Sequence, residues 1–390
     1  MNKKTKLLPI LISPFLLTSC GKVVNYEEGD NWKNYVFTMQ YKENFNILQL
    51  TDIHWNINSS TYESKRYMDK VLAEADRELR SRGQKIDLVE LTGDMFMLSN
   101  SFEVTDFVKY FEKKSAPVAE GGYDFKYAVI WGNHDRHGLY HPNWLANQFR
   151  KAKNCFYFEP NDNVYGRSNF VINLMDGTRV KWQIANLDSG ASFSESPMSP
   201  FRDYDYIRED QIKWWEKEHD EANNTIPGRT TEQVPGIAYY HIPQDENLKL
   251  YEGRSTLKNK FFKLEDFADN GNEEYASNFL DRARTQGLKG AFMGHAHNVD
   301  WTVQDTDGLI VGLGVKTGIE LYYAHIDVDS TDPAMHEGVQ SVLSSLPADT
   351  KNFDLIGASL VTIKDDANFD LEHLYLNERA SNDFVSWVKF

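Results

Sequence analysis

Residues 45–54 read Phe-Asn-Ile-Leu-Gln-Leu-Thr-Asp-Ile-His, an apolar run that ends in an aspartate and a histidine. Such a short run, bounded by turn-type residues, predicts a buried β-strand over residues 45–50. The following residues 62–82 carry an apolar side chain at every fourth position from Tyr67 to Leu79, which predicts a helix. A strand followed by a helix is the first unit of an α/β fold.

The same alternation continues along the chain. A helix is predicted over residues 103–114, and further strands over residues 86–91, 127–131, 180–187, 237–240, 290–293, 309–314, 321–325, 360–364 and near Phe384. No internal repeat or linker divides residues 41–390, so we predict a single domain there. Residues 189–203 and 244–272 have the polar, mixed composition of insertions over the rim of such a domain.

Polar residues of the metal-ligand type follow five of these strands directly. They are Asp52 and His54, Asp94, Asn133, His241, and finally His295 and His297. The carboxyl ends of strands in an open α/β sheet meet at one rim, where ligands bind. A single Asp-x-His or Gly-Asp is usually turn chemistry. The ordered set of five therefore predicts one joint site.

The donor types indicate which ions that site would hold. Imidazole nitrogens and carboxylate or amide oxygens, with no thiolate, suit a pair of divalent transition ions such as Mn, Fe, Zn or Ni. One carboxylate can bridge two ions, and Asp94, which stands alone after its strand, is the best bridge. A pair of ions that clamps attacking and leaving oxygens suits the hydrolysis of a phosphate ester.

His134 and Asp135 lie beside the proposed ligand Asn133. The ordinary pKa of histidine would let His134 protonate a leaving alkoxide, or the side chain could only hydrogen-bond within the turn. Asp135 either orients that imidazole or caps the next segment. We carry both as candidate catalytic residues.

The order of these motifs resembles that of the calcineurin-like metallophosphoesterases: Asp-x-His, Gly-Asp, Gly-Asn-His-Asp, a lone His, and Gly-His-x-His. The resemblance implies a four-layer α/β/β/α sandwich with two central mixed sheets. It implies that Asp52, His54, Asp94 and His297 hold one metal, that Asp94, Asn133, His241 and His295 hold the other, and that His134 is the general acid. The residues from Leu309 onward are best placed in the second sheet.

Several phrases, Leu187-Asp188-Ser189-Gly190 among them, are similar to the purple-acid-phosphatase-like branch of that family. The branch has a tyrosine ligand three residues after Gly-Asp, where this chain has Met97. A coloured tyrosinate–iron centre is therefore not expected. The implied reaction is attack of a metal-bound hydroxide, most simply on a phosphate monoester. The alternatives are a phosphodiesterase acting on lipid head groups, cyclic nucleotides or nucleic acid, and a non-catalytic surface-binding lipoprotein.

The first 19 residues have the composition of a lipoprotein signal peptide. Three lysines precede an apolar stretch that is too short to span a bilayer, and the segment ends in Leu17-Thr18-Ser19-Cys20. This ending resembles a bacterial lipobox, which implies lipidation of Cys20 and a polar tether over residues 20–40. An ordinary cleaved signal is the alternative. We expect an exported bacterial protein anchored by its lipid to the cell membrane or an outer membrane.

The net charge and one further motif argue against two kinds of binding, that of nucleic acid and that of phosphate in a glycine-rich loop. The formal net charge of −16 disfavours stable binding of nucleic acid. Gly314-Val315-Lys316-Thr317 is superficially similar to a phosphate-binding loop, but no array of spaced glycines precedes its lysine. We therefore do not interpret it as one.

Overall fold

The strand predicted over residues 45–50 lies near the centre of one of two large β-sheets in the computed structural model of the chain. The structure describes residues 36–56, 61–97, 99–136, 142–159, 164–193, 203–228, 231–253, 262–263, 277–319, 324–327, 352–377 and 384–389. All of these belong to one unit, Asn34–Phe390. The expected signal segment and Cys20 lie outside the described residues.

The strands in chain order are β1 (Val36–Gln40), β2 (Phe45–Leu50), β3 (Leu88–Thr92), β4 (Lys126–Ile130), β5 (Cys155–Phe156), β6 (Phe170–Asp176), β7 (Arg179–Asn186), β8 (Ser192–Phe193), β9 (Asp203–Tyr204), β10 (Gly236–Tyr239), β11 (Phe262–Lys263), β12 (Leu288–Met293), β13 (Val299–Asp300), β14 (Thr302–Gln304), β15 (Ile310–Leu313), β16 (Ala324–Asp327), β17 (Asn352–Ile363), β18 (Phe369–Asn377) and β19 (Phe384–Lys389). The α-helices are α1 (Thr61–Ser81), α2 (Ser101–Ser115), α3 (Pro142–Lys151), α4 (Glu209–Asn223), α5 (Asp245–Glu252) and α6 (Phe279–Arg284).

The first sheet has the strand order β19-β18-β17-β2-β3-β4-β5 within the described part of the chain. Strands β2 to β5 are parallel, whereas β17 to β19 are antiparallel to their neighbours. The second sheet has the order β1-β6-β7-β10-β12-β15-β14, and β7, β10, β12 and β15 run parallel in it. Both sheets are therefore mixed.

Helices cover the outer face of each sheet. Leu72 of α1, Phe107 of α2 and Leu145 of α3 pack in one apolar core with Val89 of the first sheet. Side chains of α4 and α6 pack in a second core with strands of the second sheet. All six residues of β2 are buried, as expected for a strand covered on both faces. The expected α/β/β/α architecture is confirmed.

The inner faces of the two sheets contact each other. The rings of Phe292 and Phe369 meet edge to face with centroids 5.8 Å apart, and Gln49 Nε2 donates to the carbonyl of Met293 at 3.1 Å. Thr51, just beyond β2, also pairs with Lys316 in an isolated parallel bridge. These contacts bring the carboxyl ends of the parallel strands of both sheets to a common rim.

Two expectations about the organisation of the chain need correction. The stretch expected to be a tether ends in β1, whose five residues pair with β6 because Phe37 packs against Phe170 and Phe156. The residues from Leu309 onward do not all join the second sheet. Strand β15 does, but β17 to β19 complete the first sheet, where β17 pairs with β2.

The proposed rim insertions are described only in part, as residues 189–193, Asp203, 244–253 and 262–263. Residues 245–252 form α5, and the short strands β8 and β9 pair with each other. Among the described helices, we find none with the length and apolarity needed to cross a bilayer.

Candidate metal centre

The seven predicted metal-ligating side chains meet at the common rim. Each follows the carboxyl end of β2, β3, β4, β10 or β12, which are strands of both sheets. These residues are Asp52, His54, Asp94, Asn133, His241, His295 and His297. All but His297 are buried, and the His297 side chain is 11% exposed. The structure thus gathers donors that span about 250 residues of sequence into one cup.

Asp52, His54, Asp94 and His297 form the first group of donors. One ligand atom from each lies within 4.8 Å of the others. The Nε2 atoms of His54 and His297 are 3.1 Å apart, and His297 Nε2 is 3.3 Å from Asp52 Oδ1. The other oxygen of Asp52 accepts hydrogen bonds from the Thr51 hydroxyl at 2.7 Å and the His295 amide at 3.0 Å. Asp52 is thus oriented with Oδ1 facing the two imidazoles.

Asp94, His241 and His295 form the second group, again with ligand atoms within 4.8 Å of one another. Asn133 Oδ1 lies 3.1 Å from His241 Nε2, so the amide oxygen joins this group. The Nδ1 atom of His241 is 2.9 Å from the Thr92 carbonyl. Donation to that carbonyl leaves the lone pair on Nε2, which faces the other donors.

Asp94 belongs to both groups. Its Oδ2 atom lies 3.3 Å from His241 Nε2 and 3.9 Å from His54 Nε2. Its Oδ1 atom accepts the backbone amide of His134 at 2.8 Å. The carboxylate is therefore held by the turn after β4 and faces both groups, which is the position of a bridging ligand.

The backbone is strained where the donors leave their strands. Asp52, His54, Asp94 and His295 have φ values of 51°, 49°, 50° and 76°. This left-handed region is uncommon for residues with a side chain and costs on the order of 1–3 kcal/mol each. Strained backbone of this kind is typical of functional sites.

Gly93 lets His241 approach Asp94. Its φ is 90°, and a Cβ atom at this position would lie 2.4 Å from His241 Nδ1. Both the backbone conformation and the close contact exclude a larger residue. The glycine of the Gly-Asp motif is therefore part of the site.

Ser189 is a supporting residue that our sequence interpretation did not assign to the site. Its hydroxyl oxygen accepts the Ile242 amide at 2.7 Å and the His241 amide at 3.3 Å, which fixes the turn carrying His241. The only sequence signal was the Leu-Asp-Ser-Gly phrase that contains it. Tyr204 was also missed. Its half-exposed ring meets His295 edge to face, with centroids 4.3 Å apart.

The electrostatics of the cup suit cations. Burial alone raises the pKa values of Asp52 and Asp94, but hydrogen bonds and charges from His297 and His241 bring both below their usual range. Burial and the charge of His241 lower the pKa of His295 to about 3. Burial also disfavours the charged form of His241, but Asp94 and Asp52 outweigh it and raise its pKa to about 9.

The residues present fit a pair of metal ions. Both ring nitrogens of His295 are buried and have no hydrogen-bond partner among the described residues, although buried polar groups are normally paired. Two imidazole nitrogens also face each other across 3.1 Å at His54 and His297. Two ionised carboxylates lie between these imidazoles. A divalent cation in each group would satisfy all of these atoms.

His134 lies beside the first group. Its ring is half-buried, and its centroid is 5.1 Å from that of His54 with the two planes at 89°. The imidazole is therefore next to a proposed ligand of the first group and still partly exposed to solvent.

Asp135 accepts backbone hydrogen bonds from two different loops. Its two oxygens accept the backbone amides of Gly132 at 2.8 Å and Phe96 at 3.1 Å. Burial and the charge of Asp94 raise its pKa to about 8. The carboxyl group of Asp135 thus ties the loops after β3 and β4 together, a role that differs from both of those we considered.

A family model described as calcineurin-like phosphoesterase matches residues 45–299, about two thirds of the chain. "Phosphatase DCR2" of Saccharomyces cerevisiae is 26% identical over 218 residues, which cover 53% of this chain and 36% of that protein. "Probable inactive purple acid phosphatase 29" of Arabidopsis thaliana is 25% identical over 303 residues, or 70% and 71% of the two chains. The chain thus spans about a third of the length of the yeast relative and nearly three quarters of the plant one.

A solved structure, that of a dimetal phosphatase from Danio rerio, shares 12% sequence identity with this chain. The similarity has a TM-score of 0.46 and covers 88% of this chain and 99% of that one.

Proposed function

The chain belongs to the calcineurin-like phosphoesterase family, and from this premise we propose that it hydrolyses phosphate monoesters with two divalent transition ions bound at the rim. The observation that supports this proposal is the shared position of Asp94 between two groups of buried donors. Mn, Fe, Zn and Ni all suit these nitrogen and oxygen ligands.

The first ion would be held by Asp52, His54, Asp94 and His297, and the second by Asp94, Asn133, His241 and His295. When bound, such ions activate water as a nucleophile near neutral pH and stabilise charge on the attacking and leaving oxygens. Two divalent cations against two carboxylates leave the cup positive, so an ester anion is attracted to it although the protein is acidic overall.

We propose His134 as the group that protonates the leaving oxygen. Its backbone amide is fixed by Asp94, and its ring lies against that of His54. A proton donor must be within hydrogen-bond reach of the leaving oxygen, and the partly exposed position of His134 beside the first group supports this role. Asp135 would act indirectly, by holding the turn that carries His134.

Metal analysis and a single substitution test the proposal. We expect close to two transition ions per chain in the purified protein and turnover of an aryl phosphate. Asp94→Asn should lose both, because it weakens both groups of donors. Asp87→Asn is a matched control, because Asp87 is a buried aspartate just before the same strand β3 that instead accepts the Asn46 amide at 2.9 Å. Wild-type activity in Asp94→Asn would refute the mechanism.

The substrate class needs a separate comparison. Mono- and bis-aryl phosphates with the same aryl group should distinguish a phosphomonoesterase from a phosphodiesterase. Faster hydrolysis of the diester would replace our proposal with the diesterase alternative. Two bound ions without hydrolysis of either ester would favour the non-catalytic alternative, to which the name of the plant relative also corresponds.

We also propose that the chain is exported and anchored to a membrane through a lipid on Cys20. The proposal depends on the sequence of residues 1–20 alone. Labelling of growing cells with an alkyne fatty acid should mark the wild type but not Cys20→Ser, whereas Cys155→Ser should keep the label. Labelling of Cys20→Ser would contradict the proposal.

A further inference from the structure

A second segment of the rim, residues 314–318, lies directly against the loop that carries Asp52 and His54. The amide of Thr317 donates to the Thr51 carbonyl at 2.9 Å, and the Thr51 amide donates to the Thr317 hydroxyl oxygen at 3.1 Å. A Cβ atom on Gly318 would lie 2.0 Å from the carbonyl oxygen of Ile53. The segment therefore packs against the ligand loop, backbone to backbone.

Lys316 of this segment is only 3% exposed, and its Nζ atom donates to the carbonyl of Asp52 at 2.8 Å. Lysine is almost never fully buried without polar partners, because the ammonium loses its hydration. The Lys316 carbonyl in turn accepts the Gly357 amide at 2.9 Å, so the residue is anchored to β17 of the first sheet.

The loop that Lys316 contacts, Asp52 to His54, has a strained backbone that needs support from its surroundings. Asp52 and His54 both have left-handed φ values, and the intervening Ile53 leaves no flexible residue between them. A strained backbone persists only where its surroundings fix it. Reorientation of the Asp52 carbonyl would turn the Asp52 carboxylate away from His297.

We propose that Lys316 is a positioning residue for the first metal: its ammonium group holds the Asp52–His54 loop in the conformation that presents both side chains to the ion. This inference rests on the metal centre of the proposed function, but it concerns binding and not hydrolysis. It also gives a role to the Gly-Val-Lys-Thr motif, which is a support for a ligand loop and not a phosphate-binding loop.

Lys316 has two opposite effects on the affinity for a metal ion, so a binding measurement can distinguish them. The positive charge near the site repels a divalent cation. If repulsion dominated, removal of the charge would tighten metal binding. If the hydrogen bond to Asp52 dominates, as we propose, its removal weakens binding.

The experiment measures Mn²⁺ binding to the metal-free protein by calorimetric titration. It is done in a His295→Ala background, so that the first group of donors dominates binding while the backbone bond from residue 295 to Asp52 is kept. We expect Lys316→Met to raise the Kd for Mn²⁺ about tenfold, as is typical for residues that orient metal ligands. Lys316→Arg, which keeps charge and donor, should restore at least part of the affinity.

Lys364→Met is the control. Lys364 Nζ donates to Asn44 Oδ1 at 2.9 Å, next to the end of β2 that is remote from the site. The substitution therefore removes a lysine hydrogen bond that does not touch the metal donors. It should leave the Kd unchanged. If Lys316→Met does not fold, Thr317→Val tests the same brace, since it removes the acceptor of the Thr51 amide, and we expect the same weakened binding.

Unchanged or tighter Mn²⁺ binding in Lys316→Met would overturn the positioning role of Lys316. The same result in Thr317→Val, where that variant is used, would overturn the supporting role of residues 314–318. A wild-type chain that binds no Mn²⁺, Zn²⁺, Fe²⁺ or Ni²⁺ would overturn the metal centre itself. The two failures are therefore distinguishable.

Discussion

His54 and His297 face each other with their Nε2 atoms 3.1 Å apart, although 243 residues separate them in the sequence. One of them follows β2 of the first sheet and the other follows β12 of the second. Two imidazoles in this arrangement either share one proton or bind a common cation. The nearby Asp52 and Asp94 carboxylates favour the cation.

Metal ions should therefore stabilise the fold. We expect the free energy of unfolding to rise by about 2.7 kcal/mol for each bound ion when the free metal concentration is 100 times the Kd, because the ion binds only the folded arrangement. Urea unfolding with and without a chelator measures the increment. His297→Ala should reduce it, whereas His219→Gln, a buried change on α4, should not. An equal metal-dependent increase in the free energy of unfolding in both variants would contradict metal binding by His297.

Substitution of His134 should affect the chemical step and not the metals. We expect His134→Asn to lower kcat by about 10²–10⁴-fold for an alkyl phosphate, whose leaving oxygen needs a proton. The loss should be much smaller for 4-nitrophenyl phosphate, which leaves as a stable anion. Metal content should stay at the wild-type value, since the hydrogen bond from His134 to Asp94 comes from its backbone amide, which the substitution keeps. Equal losses on both substrates would exclude the acid role.

Gly93→Ala should destroy the second group of donors. The new methyl group would overlap His241 Nδ1, and the residue would also keep a left-handed φ of 90°. Gly83→Ala is the matched control, because Gly83 has a φ of 72° with no atom within 4 Å of a Cβ. The control should lose about 1 kcal/mol of stability from backbone strain alone and keep its metals. Full metal content in Gly93→Ala would show that the contact can relax.

Glu246 should make stability depend on pH. Burial raises its pKa to about 7, although the amides of Leu280 and Asp281 donate to it at 2.9 Å. The folded state therefore holds this proton more tightly than the unfolded state. Stability should fall, relative to Glu246→Gln, as the pH rises from about 4.5 to about 7, by on the order of 3 kcal/mol. Urea unfolding across this pH range measures the difference. Parallel profiles of the two proteins would contradict it.

Much of the fold was predictable because its central strands are short apolar runs. The predicted strand over residues 45–50 coincides with β2, and the predicted helix over residues 62–82 is displaced from α1 by one residue at each end. Strand β18 was missed, since its FDLEHLYLN sequence mixes charged and apolar residues on an antiparallel strand. The sheet that β17 joins was also not predictable, because pairing with β2 depends on contacts across some 300 residues.

The sequence by itself determined the donor set, because each ligand residue is placed by its own strand and the turn directly after it. It could not determine the role of Asp135, which depends on an amide at Phe96 on another loop. Nor could it show that Lys316 supports Asp52, or that Ser189 fixes the turn at His241. Those relationships join segments that are far apart in the chain: the first and third depend on which strands are neighbours within a sheet, and the second on the packing of the two sheets against each other.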